Sequence, residues 1–155
     1  MTDTEDKAKA DQTELLSFRV GTQEYAVDIM TVREIRGWTN ATPLPHAPPF
    51  VRGVINLRGT VLTIVDLSDR LGMGPIEFSD RNVIIVVEAG SQLVGLLVDA
   101  VSDILTVSAE DLQPPPEMLT EGPRTFVSAL TIVQERMVRI LDLDAALPAT
   151  EIEAA

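Results

Sequence analysis

The residues capable of chemistry are few and poorly grouped. The single histidine, His46, sits between prolines in the loop PLPHAPP. A general base needs an orienting hydrogen-bond partner, and none stands near it in sequence, so His46 reads as a loop histidine. There is no G-x-S-x-G elbow, no Gly-rich phosphate loop and no metal-spaced histidine pair. Asp66 and Asp142 could be taken for paired carboxylates. Each instead precedes a short helical turn in an equivalent setting, and N-capping explains both. The chain has no cysteine, so thiolate metal sites and disulfides are absent and a reducing compartment is compatible. The expectation is a protein with no catalytic residue, no metal site and no cofactor.

The arginines are more telling. Residues 31–60 contain Arg33, Arg36, Arg52 and Arg58 against one acid, Glu34, within a chain of 24 acidic and 12 basic residues and net charge −12. Arginine is the cation favoured at protein interfaces, because its planar fork makes directed hydrogen bonds at little ordering cost. The same stretch carries Trp38 and several prolines, which favours an interface over a merely solvated face. The overall acidity repels phosphate backbones and argues against nucleic-acid binding.

The elements that must position these residues come in two copies. GVINLRGTVLTIVDLSDRL (53–71) aligns without gaps with ALTIVQERMVRILDLDAAL (129–147), matching Ile64, Asp66, Leu67 and Leu71 to Ile140, Asp142, Leu143 and Leu147. Upstream, LSFRVGTQEYAVDIMTVREI (16–35) aligns with IVVEAGSQLVGLLVDAVSDI (85–104), matching Gly21, Gln23, Val32 and Ile35 to Gly90, Gln92, Val101 and Ile104. The order is kept, which predicts two copies of one β-rich unit, about 15–72 and 81–147, with the chain free to cross between them. Duplicated units create a surface at their junction. Val32 and Val101, and Ile35 and Ile104, are expected along such a seam, with plain core packing as the alternative for each.

Alternating Leu16, Phe18 and Val20 predict a strand, with 25–27 as its hairpin partner. Asp28 is expected to cap a short helix, IMTVREI. Residues 37–50 hold four of the ten prolines and predict an extended loop. A hairpin turns at Arg58-Gly59. An arginine on a two-residue turn is expected to face solvent. Strands follow at 82–88, 92–98, 101–107, 126–133 and 137–141, with a second Pro-rich loop at 112–123. Short strands split by Gly and Pro predict barrels rather than a parallel sheet. The longest aliphatic run, Val83–Val87, is too short to span a membrane. Residues 1–14 read as a disordered lead without the apolar core of a signal peptide, and 148–155 as a flexible tail.

EIRG (34–37), VRGVINLRG (51–59), IVDL (64–67) and VDAVSD (98–103), in that order and spacing, resemble the CheW-like family of bacterial chemotaxis coupling proteins. The resemblance runs from about residue 14 to 147. It implies a mainly β fold: two tandem five-stranded β-barrel subdomains around a shared core, with short helices. It implies a non-enzymatic adaptor that links methyl-accepting chemoreceptors to the histidine kinase CheA, in the cytoplasm at membrane-associated receptor arrays and without membrane insertion. The kinase's regulatory domain and the amino-terminal part of CheV share this fold. Residues 14–147 carry no phosphotransfer, ATP-binding or receiver part, so the stand-alone adaptor is the better match.

Carried over by matching motifs, a groove for the cytoplasmic tips of receptors would involve Val32, Glu34, Arg58, Val83, Val101 and Ile104. A surface for the regulatory domain of CheA would involve Arg52 and Gly53. Gly53 and Gly59 have tight turns as an alternative explanation. The same adaptor serving a chemotaxis-like pathway for pili or development is the near rival. A small-ligand-binding β-barrel is the rival of another class, and one Trp, one Tyr and four Phe argue against a ligand-lined interior.

Overall fold

The structure, a computed structural model, describes residues 12–115 and 126–147. Most of the expected lead, the tail and residues 116–123 of the second Pro-rich loop lie outside the described residues.

The first copy contributes β1 (Gln12–Val20), β2 (Gln23–Asp28), β3 (Val32–Gly37), β4 (Val51–Leu57), β5 (Thr60–Asp66) and helix α1 (Leu67–Arg70). The second contributes β6 (Val83–Ala89), β7 (Gln92–Val98), β8 (Ala100–Ser108), β9 (Val127–Val133), β10 (Arg136–Leu141) and α2 (Leu143–Ala146). β1 starts at Gln12, inside the stretch expected to be a lead. The IMTVREI segment is not a helix. Asp28 caps a single 3-10 turn, Ile29–Thr31, and the chain then enters β3. Val32 and Ile35 are β-branched and find a partner strand in β6, which overrides the helical spacing.

The strands form two five-stranded sheets, β8-β1-β2-β10-β9 and β3-β6-β7-β5-β4. Replacing each strand by its repeat counterpart turns one order into the other. The copies therefore do not make one sheet each. Each sheet takes its first hairpin from one copy and its remaining three strands from the other. The symmetry extends to irregularities. A bulge between Val32 and Glu34 on β3 against β6 is matched by one between Ser17 and Phe18 on β1, opposite Val101 and Asp103 of β8. The hydrogen-bond ladders are not closed into barrels. They stay open between β3 and β4 and between β8 and β9, and a bridge from the preceding loop pairs with the edge strand in each case: Thr42 with Val54, Gln113 with Leu130.

Alternation sorts the side chains into three cores. On β6, Ile85 and Val87 face the central core between the sheets, with Leu16, Phe18 and Val27 from the other sheet. Ile84 and Val86 face the core within their own sheet, beside Leu62, Ile64 and Leu97. Leu15, Leu105 and Val138 fill the corresponding space in the other sheet. Burial on both faces is why 83–87 reads as an unbroken aliphatic run. Each such side chain contributes roughly 1.5–3 kcal/mol on removal from water.

Candidate functional site

The β4–β5 turn sets up a charged cluster on the surface. Arg58 and Gly59 both have positive φ, 51° and 88°. That pair is a two-residue type I′ hairpin turn, whose twist suits the flanking strands. The Asn56 side chain steadies it by accepting from Gly59 N at 2.8 Å. The repeat-equivalent turn, Gln134-Glu135, has φ of 50° and 67°.

Arg58 projects from this turn with 73% of its side chain exposed, as expected, yet it is tethered. Its Nη2 donates to Glu34 Oε1 at 2.6 Å. Arg36 lies on the other side of Glu34, with Nη1 3.4 Å from Oε2. The Arg58 guanidinium, by its hydrogen bond first, holds the Glu34 carboxyl below its usual range, and Glu34 in turn raises the Arg58 value. Arg33, on the same edge strand, pairs with Glu88 of β6.

The structure brings Glu34 and Arg58 together and leaves the other expected groove residues more dispersed. Val32, Val83 and Val101 are half-buried and pack at the margin of the central core. In the ladders Val32 faces Val87 and Val101 faces Phe18. Ile35 and Ile104 are equivalent positions on the edge strands β3 and β8, exposed at 44% and 54%. Solvated apolar side chains at both matched positions are surface, not core.

Arg52 and Gly53 sit differently. Arg52 donates from Nε and Nη2 to Asp66 Oδ2 at 3.2 and 2.7 Å. Asp66 is fully buried, caps α1 by accepting from Asp69 N, and accepts from Ile76 N at 2.9 Å, which anchors the linker between the copies. Arg52 is thus the counterion of a buried carboxylate. Its guanidinium also lies 5.3 Å from the centroid of Phe78, which packs on Trp38. Phe78 is 56% exposed and was not singled out from sequence. Its signal was a lone aromatic in a polar linker. Gly53 is buried with φ 137°, and a Cβ there would lie 2.2 Å from Thr42 O. Only glycine fits beneath the Thr42 bridge, so glycine at this position is a backbone requirement.

Among the described residues no group of His, Cys, Asp and Glu is arranged to hold a metal ion, and no helix is long and apolar enough to cross a membrane. His46 is exposed at φ 65° in its loop.

A family model described as the CheW-like domain matches residues 14–151. The chemotaxis protein CheW of Rhizobium meliloti is 57% identical over 142 residues, covering 92% of each chain. That of Klebsiella aerogenes is 35% identical over 90% of this chain and 84% of its own. The crystal structure of the scaffolding protein TtCheW from Thermoanaerobacter tengcongensis superposes with a TM-score of 0.82 at 30% identity, covering 90% of this chain and 94% of that one.

Proposed function

This chain belongs to the CheW-like domain family, and from that premise we propose that it binds the regulatory domain of a CheA-type kinase and the cytoplasmic tips of chemoreceptors at once. Its role is that of an adaptor in chemotaxis signalling. It acts without chemistry of its own, in the cytoplasm at receptor arrays. The mechanism is coupling: one rigid body touches both partners, so a change in one biases the other.

The observation that carries the receptor side is the exposed Arg58–Glu34 pair on the edge of one sheet. A receptor tip bearing acceptors can exchange with Glu34 for the Arg58 fork. Val32, Val83, Val101 and Ile104 supply apolar contact for a helical tip with one anchoring side chain. For the kinase side, Arg52 and Gly53 support the reading indirectly. Arg52 lies over the exposed ring of Phe78, which packs on the half-buried Trp38, and Gly53 seats β4 beneath the Thr42 carbonyl.

Reconstitution tests it. The purified protein is mixed with a CheA-type kinase and with membranes carrying receptors, and kinase co-sedimentation and autophosphorylation are followed. Both should rise only when the protein is present. Equal co-sedimentation in its absence removes the adaptor mechanism.

A further inference from the structure

The open seam between β3 and β4 holds a cleft of about 360 Å³, and none of the residues assigned above to receptor or kinase lines it. Arg36, Thr39, Asn40, Thr42 and Asn56 supply its polar wall, and Ile55 and Val61 its apolar part. We propose that this cleft is a binding site for a carboxylate, taken from an Asp or Glu side chain on a partner protein. The inference goes beyond the adaptor reading and does not depend on which partner is bound there.

Pseudo-symmetry isolates the site. Arg36 pairs with Ile84 across β3 and β6. The equivalent pair across β8 and β1 is Leu105 with Leu15, both buried in a core. The wall residues Asn56 and Val61 likewise correspond to Ile132 and Met137, an apolar cross-strand pair. Both seams are open, and one fold position thus holds a core leucine beside the second and a partly exposed arginine beside the first. Packing alone does not ask for a charge there, since the leucine version folds in the same protein.

The arginine is also under-used. Its Nη1 contact to Glu34 is long at 3.4 Å, and Glu34 is already engaged by Arg58 at 2.6 Å. Its Nε is buried with no acceptor, a costly state for a charged donor. A carboxylate entering the cleft can take the Nη1–Nη2 edge, where the one contact to Glu34 is long, because two oxygens match that side of the guanidinium fork. The Asn and Thr side chains of the wall supply further donors, and Ile55 and Val61 suit the methylene stem of a glutamate. The site lies in a locally cationic stretch of an acidic chain, so it attracts acids that most of the surface repels.

Amide NMR titration of the full chain decides it. The probes are the blocked peptide acetyl-Ala-Glu-Ala-amide, its Gln counterpart, and free glutarate. The Glu peptide should shift the backbone amides of Thr39, Asn40, Thr42 and Asn56, and the Gln peptide should bind about tenfold more weakly or less. Arg36→Gln should abolish the shifts while the rest of the spectrum stays unchanged. Asn40→Ala, on an exposed loop residue, should weaken them and provides a second variant if Arg36→Gln perturbs the fold. Absence of shifts at millimolar peptide, equal shifts from the Gln peptide, or binding as tight as the parent's in both Arg36→Gln and Asn40→Ala overturns the proposal. Glutarate binding tighter than the peptide would overturn the protein source in favour of a free dicarboxylate.

Discussion

Asp66 and Asp142 are equivalent residues that have diverged in what they hold. Each caps a four-residue helix, accepting from Asp69 N and from Ala145 N respectively. Each backbone amide donates to an equivalent phenylalanine carbonyl, Phe50 at 2.7 Å and Phe126 at 2.6 Å. Only Asp66 is fully buried and paired to an arginine, Arg52. One repeat position is thus a cap alone in the second copy, and a cap, ion pair and linker anchor in the first.

Their substitutions should differ accordingly. Asp142→Ala should cost about 1 kcal/mol, as for loss of an N-cap. Asp66→Ala should cost about 3 kcal/mol, because Arg52 and Ile76 N lose their acceptor as well. Arg52→Ala should cost about 2–3 kcal/mol. A buried charge left unpaired costs more than that, but Arg52 is 29% exposed and water can partly replace it. Urea unfolding of the three variants gives the order. Equal costs at Asp66 and Asp142 would mean that the ion pair adds nothing.

Gly53 should behave as a folding residue. A side chain at φ 137° is strained, and its Cβ would meet the Thr42 carbonyl at 2.2 Å. Gly53→Ala should therefore destabilise by about 2–4 kcal/mol. Gly59→Ala, at φ 88° with open space around its Cβ, should cost about 1 kcal/mol. Gly53→Asp should lose kinase binding together with thermal stability. A Gly53→Asp protein that melts like the parent and still fails to bind the kinase would restore Gly53 as a contact residue.

The repeat was legible because caps and turns are local. Asp66-Leu67 and Asp142-Leu143 recur where the backbone needs the same hydrogen bonds. The exchange of strands was not legible, because a repeat does not say which copy supplies the partner of β3 or β8. The IMTVREI segment misled for the same reason. Its spacing suits a helix in isolation, and its β-branched residues are satisfied only once β6 is alongside. The ion pair of Arg52 with Asp66, fourteen residues away, depends on the β4–β5 register and on burial that sequence does not show. Arg58 and Glu34 were both named from motifs, but their direct contact emerges only when β3 is folded beside the turn.

The Arg58–Glu34 pair should matter for coupling more than for folding. Arg58→Ala should leave the melting temperature within about 2 °C, since exposed pairs add little. Its small effect has a defined pH window. The Glu34 carboxyl lies below its unfolded value of about 4.3. Its contribution is therefore present above that pH and is lost as pH falls through the lowered folded value. The difference between parent and Arg58→Ala should shrink as the pH is lowered below the usual carboxylate range, and should also shrink in high salt. Receptor-dependent kinase activation should fall by about tenfold at neutral pH. A large drop in melting temperature makes Arg58 structural, and unchanged activation moves the receptor site elsewhere.

Arg70 joins the two copies near their symmetry axis. Its guanidinium lies 4.6 Å from the Phe50 ring centroid and 4.7 Å from that of Phe126, the repeat equivalent of Phe50. Its Nε donates at 2.6 Å to the carbonyl of Ala146, which occupies the position equivalent to Arg70 itself. One side chain of the first copy thereby touches both equivalent rings and the last turn of the second copy's helix. A cation over two faces contributes about 0.5–2 kcal/mol per ring, and the hydrogen bond about 1 kcal/mol more. Arg70→Met keeps the apolar stem and removes both effects, so it should cost about 2 kcal/mol. Arg70→Lys keeps the charge without the planar fork and should fall between. Phe50→Leu and Phe126→Leu should each couple to Arg70→Met by about 0.5–1 kcal/mol in double-mutant cycles, and to similar extents. Urea unfolding of the six variants measures the couplings. Coupling to one ring alone would show that Arg70 serves a single copy, and no coupling to either would leave the junction to the apolar core between the sheets.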